Sequence, residues 1–163
     1  MSNLEHPSVK RVAAALAEAG SDATVIELAE TARSAQDAAD SIGTELGSIV
    51  KSLVFAVGGK PVMALVAGDR QCDTKALPAA LGLEGKAKRA DADLVRDATG
   101  FAIGGVAPLA HEQKLPIAID ASLARFATVY AAAGHPYCVF ATTMAELKRL
   151  TGGALSEDIG TAG

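Results

Sequence analysis

The chain has 163 residues with a formal net charge of −4, and half of its residues are apolar, so we expect one domain over residues 1–163 and no disorder. The acidic balance argues against a protein that clamps a nucleic-acid backbone, although one end of an RNA could still meet a local basic patch. No apolar run approaches the ~20 residues that span a bilayer, the N-terminus has no secretion signal, and two cysteines make no disulfide framework, so we expect a cytoplasmic protein without a membrane partner.

The N-terminal part of the chain predicts a helix, a strand and a second helix. Apolar residues at i, i+3, i+4 and i+7 predict an amphipathic helix that Gly20 ends: Val9, Val12, Ala13 and Leu16. Residues 24–28 are typical of a strand. Ser34 and Asp37 resemble a capping box, which predicts a helix with its apolar side inward at Ala38, Ala39 and Ile42.

The clearest local signal is a β-hairpin. Residues 50–57 and 60–66 are rich in strand formers and flank Gly58-Gly59, which has the chemistry of a primed two-residue turn. In a continuous strand Lys51 shares a face with Leu53 and Phe55. Lys51 then lies either at the wet end of a core face, where it could bind a phosphate or a polarised carbonyl, or on the surface as a snorkelling lysine.

The rest of the chain mixes helices and strands. We expect a helix over residues 73–81 that Pro78 shortens, a helix between Asp91 and Gly100, strands over 115–120 and 138–141, and a final helix from the capping box at 143–146 to Gly152. Because strands and helices do not alternate regularly, the pattern predicts an α+β (mixed α/β) domain with a mixed sheet.

Residues 100–108 form a glycine-pair loop that ends at a proline. Gly104 and Gly105 lack Cβ, so the backbone can adopt positive φ and approach a ligand closely. Pro108 stiffens the exit of the loop. A plain tight turn is the alternative interpretation.

Other candidates are less specific. His111 and His135 could be structural, solvated or functional, and Asp120 could cap a helix or orient a neighbouring group. The basic residues 86–89 could be solvated surface or an RNA contact. Cys72 could be a nucleophile or a buried inert thiol. The chain has no HExxH, CxxC, GxSxG or Walker-A motif, so neither a metal nor a cofactor is expected.

Three segments together resemble the YbaK/ProX family of free-standing aminoacyl-tRNA deacylases. They are residues 49–55 with Lys51 at the centre, residues 100–108 with a Gly-x-x-x-Pro loop from Gly104 to Pro108, and residues 117–120 ending at Asp120. The similarity spans about residues 20–160. It implies a curved, mixed, barrel-like sheet with surrounding helices, and a pocket for the aminoacylated 3′-terminal adenosine.

The resemblance also implies roles for individual residues. Lys51 is expected to hold the phosphate-ribose region and the ester, and the backbone of Gly104 and Gly105 to place the aminoacyl group and the attacking water. The remaining residues expected to contact substrate are Ser52, Ile103, Val106, Ala107, Pro108, His111, Asp120 and His135.

The implied activity is hydrolysis, in trans, of tRNA mischarged with serine, threonine, alanine or cysteine. The implied partner is the aminoacylated acceptor end of tRNA, with an aminoacyl-tRNA synthetase as a second candidate. Two alternatives stay open: a non-catalytic module that binds an aminoacyl-nucleotide or an acceptor end, and a thiol hydrolase that uses Cys72 or Cys138.

Overall fold

Short helices and strands follow one another in the computed structural model, which describes residues 2–29 and 34–162. The helices in these ranges are α1 (Pro7–Glu18), α2 (Ala35–Ile42), α3 (Ala76–Ala80), α4 (Ala92–Thr99) and α5 (Met144–Thr151). The strands are β1 (Val25–Glu27), β2 (Ile49–Val57), β3 (Lys60–Ala67), β4 (Arg70–Cys72), β5 (Ala87–Arg89), β6 (Ile117–Asp120), β7 (Val129–His135), β8 (Cys138–Thr142), β9 (Ala154–Ser156) and β10 (Gly160–Ala162).

Seven strands form one mixed sheet in the order β1-β8-β7-β2-β3-β6-β9. The pairs β2–β7, β3–β6 and β6–β9 are parallel, and the other neighbours are antiparallel. The sheet curls into a half-barrel, β5 pairs with the end of β2, and β4 and β10 form a separate two-stranded ribbon. The predicted α+β domain with a curved mixed sheet is confirmed.

The helix boundaries follow from local capping chemistry. The side chains of Ser34, Asp91 and Thr143 each accept a hydrogen bond from the N–H three residues ahead. Gly100 and Gly152 end α4 and α5 in the left-handed conformation, with φ of 81° and 66°. These ends lie where the sequence predicts them.

The β2–β3 hairpin separates two cores. Gly58 and Gly59 both have positive φ, as a primed turn requires, and Val57 lies opposite Lys60. Val50 and Val54 on one face of β2 join the larger core, which includes α1 and α4. Leu53, Phe55 and Val57 on the other face join a smaller core beside α3.

The structure also corrects the predicted elements. The central strand β7 was not predicted, because Ala131, Ala132 and Ala133 are weak strand formers on their own. Small residues are needed there: a Cβ at Gly134 would lie 2.6 Å from the carbonyl oxygen of Ser8 in α1. The helix predicted over 73–81 has only five residues, and the three-residue strands β4, β5, β9 and β10 had no local signal.

Candidate functional site

A cavity of about 260 Å³ lies where the main sheet opens beside β2. One edge of β2 pairs with β3 along its length. On the other edge β7 pairs only with Ile49 and Val50, and β5 only with residues 55–57. Among the described residues, no strand therefore pairs with the middle of that second edge. Helix α2, the wall of β7 and β8, and the glycine loop surround the opening. The lining includes Ala35, Ala38, Lys51, Ser52, Leu53, Arg89, Ile103, Gly104, Val106, Tyr130, Ala132, Pro136 and Val139.

Ser52 is the residue of β2 that faces this opening with its main chain. The two-residue turn makes Val57 and Lys60 a hydrogen-bonded pair. Because hydrogen-bonded positions alternate along an antiparallel strand, the odd-numbered residues of β2 bond to β3 through their main chain. The main-chain groups of the even-numbered residues point to the other edge of β2. In agreement, the Ala90 N–H donates to the Val54 carbonyl at 3.2 Å. The Ser52 N–H and C=O therefore point towards the gap. Its Oγ is buried and has no hydrogen-bond partner within the described ranges.

Lys51 lies at the rim of the smaller core, on the same face of β2 as Leu53, as strand parity predicts. Its side chain is half-buried, and Nζ donates a hydrogen bond to the main-chain carbonyl of Arg70. Burial lowers the pKa of this amine, because the charged form loses hydration. The arrangement sets a cation at the edge of the cavity, with Nζ protons beyond the one that Arg70 accepts.

The glycine loop makes a tight turn at the mouth of the cavity. The Gly105 N–H donates to the Ala102 carbonyl at 3.0 Å, and Gly104 has a φ of +100°. Ile103 at the tip is 62% exposed. Ile103, Gly104 and Val106 line the cavity. The turn thus presents main-chain groups of its tip to the space beside Ser52.

The loop is docked against the end of β7. A Cβ on Gly105 would lie 2.8 Å from the His135 nitrogen and 2.9 Å from the Gly134 carbonyl carbon, so a side chain has no room there. Ala107 and Pro108 are buried behind the loop and are not among the lining residues. Ala107 and Pro108 thus support the loop by packing behind it.

Arg11 of α1 ties together the two ends of the loop segment. Its Nε donates to the Ala110 carbonyl at 2.8 Å, and Nη2 donates to the carbonyls of Ala110 and Thr99. The guanidinium also lies 4.5 Å from the centre of the Phe101 ring. The sequence does not predict this role of Arg11, because nothing local in α1 indicates a contact with a segment about 90 residues away.

Gly105, like Ala107 and Pro108, is not among the residues that line the cavity, and three further predicted site residues also lie outside the lining. His111 Nε2 donates to the Ala107 carbonyl at 2.7 Å, and burial lowers the pKa of its imidazole. Asp120 is 1% exposed and accepts from the N–H groups of Ala67 and Ser122, which confirms the capping interpretation. The His135 ring stacks on Tyr137, and its neighbour Pro136 lines the cavity instead.

Tyr130 and Arg89 are lining residues with polar side chains that lie outside the predicted site. Tyr130 belongs to the unpredicted strand β7, and Arg89 ends β5 with its guanidinium 5.7 Å from the centre of the Phe55 ring. The basic stretch at residues 86–89 was a signal for Arg89, but only the pairing of β5 with β2 brings it to the cavity.

The thiols are poorly suited to act as nucleophiles. Cys72 and Cys138 are both free, and burial raises the pKa of each to about 11, so little thiolate forms near neutral pH. In residues 2–29 and 34–162 no group of three or more acidic, histidine or cysteine side chains could hold a metal ion. Over the same ranges no helix is long and apolar enough to cross a membrane.

The cavity residues fall within a segment that matches known proteins. The model of the aminoacyl-tRNA editing domain matches residues 29–150. "Uncharacterized protein YwhH" of Bacillus subtilis is 35% identical over 130 residues, 78% of this chain and 80% of that protein. The Enterococcus faecalis protein named "Putative Cys-tRNA(Pro)/Cys-tRNA(Cys) deacylase EbsC" is 29% identical over 126 residues, 76% of each. A crystal structure described as "a putative trans-editing enzyme for prolyl tRNA synthetase" superposes with a TM-score of 0.88 at 38% identity, covering 96% of this chain and 98% of the other.

Proposed function

The chain belongs to the aminoacyl-tRNA editing domain family, and we propose that it hydrolyses, in trans, tRNA that carries the wrong small amino acid. Membership confirms the resemblance to the YbaK/ProX family and assigns the class of activity, deacylation of aminoacyl-tRNA. A tRNA substrate implies a cytoplasmic site of action. We propose below which amino acid is removed, which residues contact the acceptor end and what each site residue does.

One observation carries the proposal: Lys51, the open edge of β2 at Ser52 and the tip of the glycine loop meet at one cavity. An aminoacyl ester is already activated, so its hydrolysis needs a positioned water and stabilisation of the charge that develops on the carbonyl oxygen. A cation and oriented main-chain dipoles supply both. This explains how the chain could work without a serine triad or a reactive thiol.

The reaction adds water across the ester. Water attacks the carbonyl carbon, the bond to the ribose oxygen breaks, and a proton from the water ends on that oxygen. The products are the free amino acid and a tRNA with its terminal hydroxyl restored. Lys51 holds the ester and stabilises the negative charge of the tetrahedral intermediate, and the main chain at Gly104, which lines the cavity, directs the water.

The cavity favours a small aminoacyl group. Its volume is about 260 Å³, and Ala35, Ala38, Leu53, Ala132 and Val139 supply short apolar walls. One methylene in such a pocket discriminates by only about 1–3 kcal/mol, so several small amino acids would be accepted. The Ser52 hydroxyl is buried beside the cavity without a hydrogen-bond partner among the described residues, and a bond from it to a polar substrate group would favour serine and threonine.

The proposed partner is the acceptor end of tRNA. Lys88 and Arg89 on β5 and Lys86 just before it are exposed, and Arg89 reaches the cavity, so phosphates of an entering 3′ end would meet positive charge. An acidic chain can then bind an RNA end without gripping the whole backbone. A synthetase that produces the mischarged tRNA is the second proposed partner.

The test is deacylation of tRNAs charged with serine, threonine, alanine, cysteine or proline. We expect the wild-type protein to release one or two of the small amino acids, and the Lys51→Ala variant to lose at least 100-fold in kcat, of the order seen when a charge-stabilising donor is removed. Lys114→Ala, at an exposed position outside the cavity, is the control.

Two outcomes would contradict the proposal. Full activity of Lys51→Ala would remove the assigned role of Lys51. Tight binding of an aminoacyl-nucleotide without hydrolysis of any ester would favour the non-catalytic binding module.

A further inference from the structure

The C-terminal strand β10 holds β4 in place. The two strands pair antiparallel, with Thr161 opposite Gln71 and Ala162 opposite Arg70. The preceding Ile159 is fully buried in the smaller core, and its carbonyl accepts from the Asp73 N–H at 2.7 Å. Residues 159–162 therefore fix β4 through main-chain bonds and an apolar anchor. They lie beyond the segment that the editing-domain model matches.

The hydrogen-bond register of this ribbon leaves one carbonyl of β4 facing outward. Residues in an antiparallel pair alternate between hydrogen-bonded and non-hydrogen-bonded positions. Because Asp73 bonds to Ile159, the next bonded pair is Gln71 with Thr161. The Arg70 carbonyl therefore points away from β10, where it accepts the hydrogen bond from Lys51 Nζ.

Strand β10 of the ribbon packs against a buried carboxylate. A Cβ on Gly160 would lie 2.3 Å from Asp120 Oδ2, so β10 lies directly against this side chain. Asp120 cannot move aside easily, because it is 1% exposed and bonded to the N–H groups of Ala67 and Ser122. The position of the Arg70 carbonyl thus depends on β10 and on the end of β6.

We propose that β10 is a positioning element for Lys51, acting through β4 and the Arg70 carbonyl. This inference rests on the catalytic role proposed above for Lys51. A lysine side chain has many rotamers, and one fixed acceptor for Nζ restricts the positions that this cavity-lining side chain can adopt. Small misplacements of a catalytic group lower kcat strongly, so a strand outside the cavity would control the rate.

A matched pair of proline variants in the full chain tests the proposal. Thr161→Pro removes an N–H that bonds to β4, whereas Ala162→Pro removes one that faces away from it, at the same exposed edge. We expect Thr161→Pro to lower kcat about tenfold at unchanged KM, while Ala162→Pro stays close to wild type. Circular dichroism and thermal unfolding show whether each variant is folded.

A second measurement does not depend on turnover. The Nζ resonance of Lys51 in lysine-labelled protein, assigned with a Lys51→Arg variant, reports whether the ammonium group is held. Thr161→Pro should make its exchange with water faster and move its chemical shift, and Ala162→Pro should not. An unchanged Lys51 signal in Thr161→Pro, or equal loss of kcat in both proline variants, would overturn the inference.

The two readouts separate this inference from the proposed function. If Lys51→Ala hydrolyses its ester normally, the catalytic role of Lys51 is wrong, and the inference falls with it whatever the resonance does. If Lys51→Ala is inactive but Thr161→Pro moves the resonance without lowering kcat, only the inference is overturned.

Discussion

Gly104 and Gly105 are adjacent, yet different physical constraints require them. Gly104 has a φ of +100°, and a Cβ there would meet only the Pro136 ring at an ordinary 3.5 Å, so its constraint is the backbone conformation. Gly105 has no such φ, but its Cβ would collide with the main chain of Gly134 and His135. The sequence predicts the first constraint, which is local, and not the second, which needs β7 to be in place.

His111 makes the stability of the loop depend on pH. Because burial lowers the pKa of the folded imidazole below its ordinary 6.5, the unfolded chain binds a proton more readily. The contribution of His111 to the free energy of unfolding should therefore be fully present above about pH 6.5 and be lost as the pH drops below it. Urea unfolding at a series of pH values measures this.

The variant His111→Gln serves as the comparison for that pH series. It retains a donor for the Ala107 carbonyl but does not titrate, so its stability should vary less between about pH 5 and 7. The pKa of His135 is also lowered by burial, so the stability of His111→Gln should still depend weakly on pH. Identical pH profiles for wild type and His111→Gln would show that His111 is not responsible.

The joining of α1 to the glycine loop is a contact between elements. Arg11→Ala removes the side-chain donor to the Ala110 carbonyl and one of two donors to the Thr99 carbonyl, which keeps its bond from the Glu112 N–H, and it removes the stacking on Phe101. We expect a loss of about 2 kcal/mol in stability, together with faster amide hydrogen exchange in residues 99–110 and a lower kcat. Hydrogen exchange followed by mass spectrometry locates the effect.

Lys10→Ala is the matched control for Arg11→Ala. Lys10 is adjacent on the same helix but only forms an exposed ion pair with Glu5 at 3.1 Å, so its loss should cost less than about 1 kcal/mol. Uniform exchange across the whole chain in Arg11→Ala, rather than a change confined to the loop, would contradict a specific clamp.

Element boundaries were predictable where the chemistry that sets them is local. The capping residues Ser34, Asp91 and Thr143 carry their partners within three residues, and the Gly58-Gly59 turn needs only its own φ angles. Strand β7 was not predictable, because its alanines become a strand through pairing with β2 and β8.

The distribution of charge on the surface supports the proposed contact with the acceptor end of tRNA. The net charge is −4, but Lys88 on β5 and Lys86 just before it are exposed, and β5 leads to the cavity. Each phosphate contact adds roughly −0.7 to −0.9 to the slope of log affinity against log salt. We expect Lys86→Ala/Lys88→Ala to make the slope shallower by about 1.5 for aminoacyl-tRNA, measured as kcat/KM over a salt series.

The control for the salt series removes the same number of positive charges from another part of the surface. Lys114→Ala/Lys148→Ala removes two exposed cations outside β5 and should leave the slope unchanged. A short aminoacyl-adenosine ester, which lacks the acceptor stem, should be hydrolysed equally by both double variants. Equal slopes for the two double variants would exclude β5 as the contact surface.

The sequence alone determined the local features of this protein: the capped helices, the hairpin, the face of β2 that carries Lys51, and the three segments that indicated the family. Each depends on residues a few positions apart, whose geometry the backbone dictates. Only the tertiary structure decided that the edge of β2 away from β3 is open at Ser52, that Arg11 clamps the loop, and that β10 reaches Lys51 through β4. These contacts join residues that are distant in sequence, and they form only when the curled sheet brings those residues together.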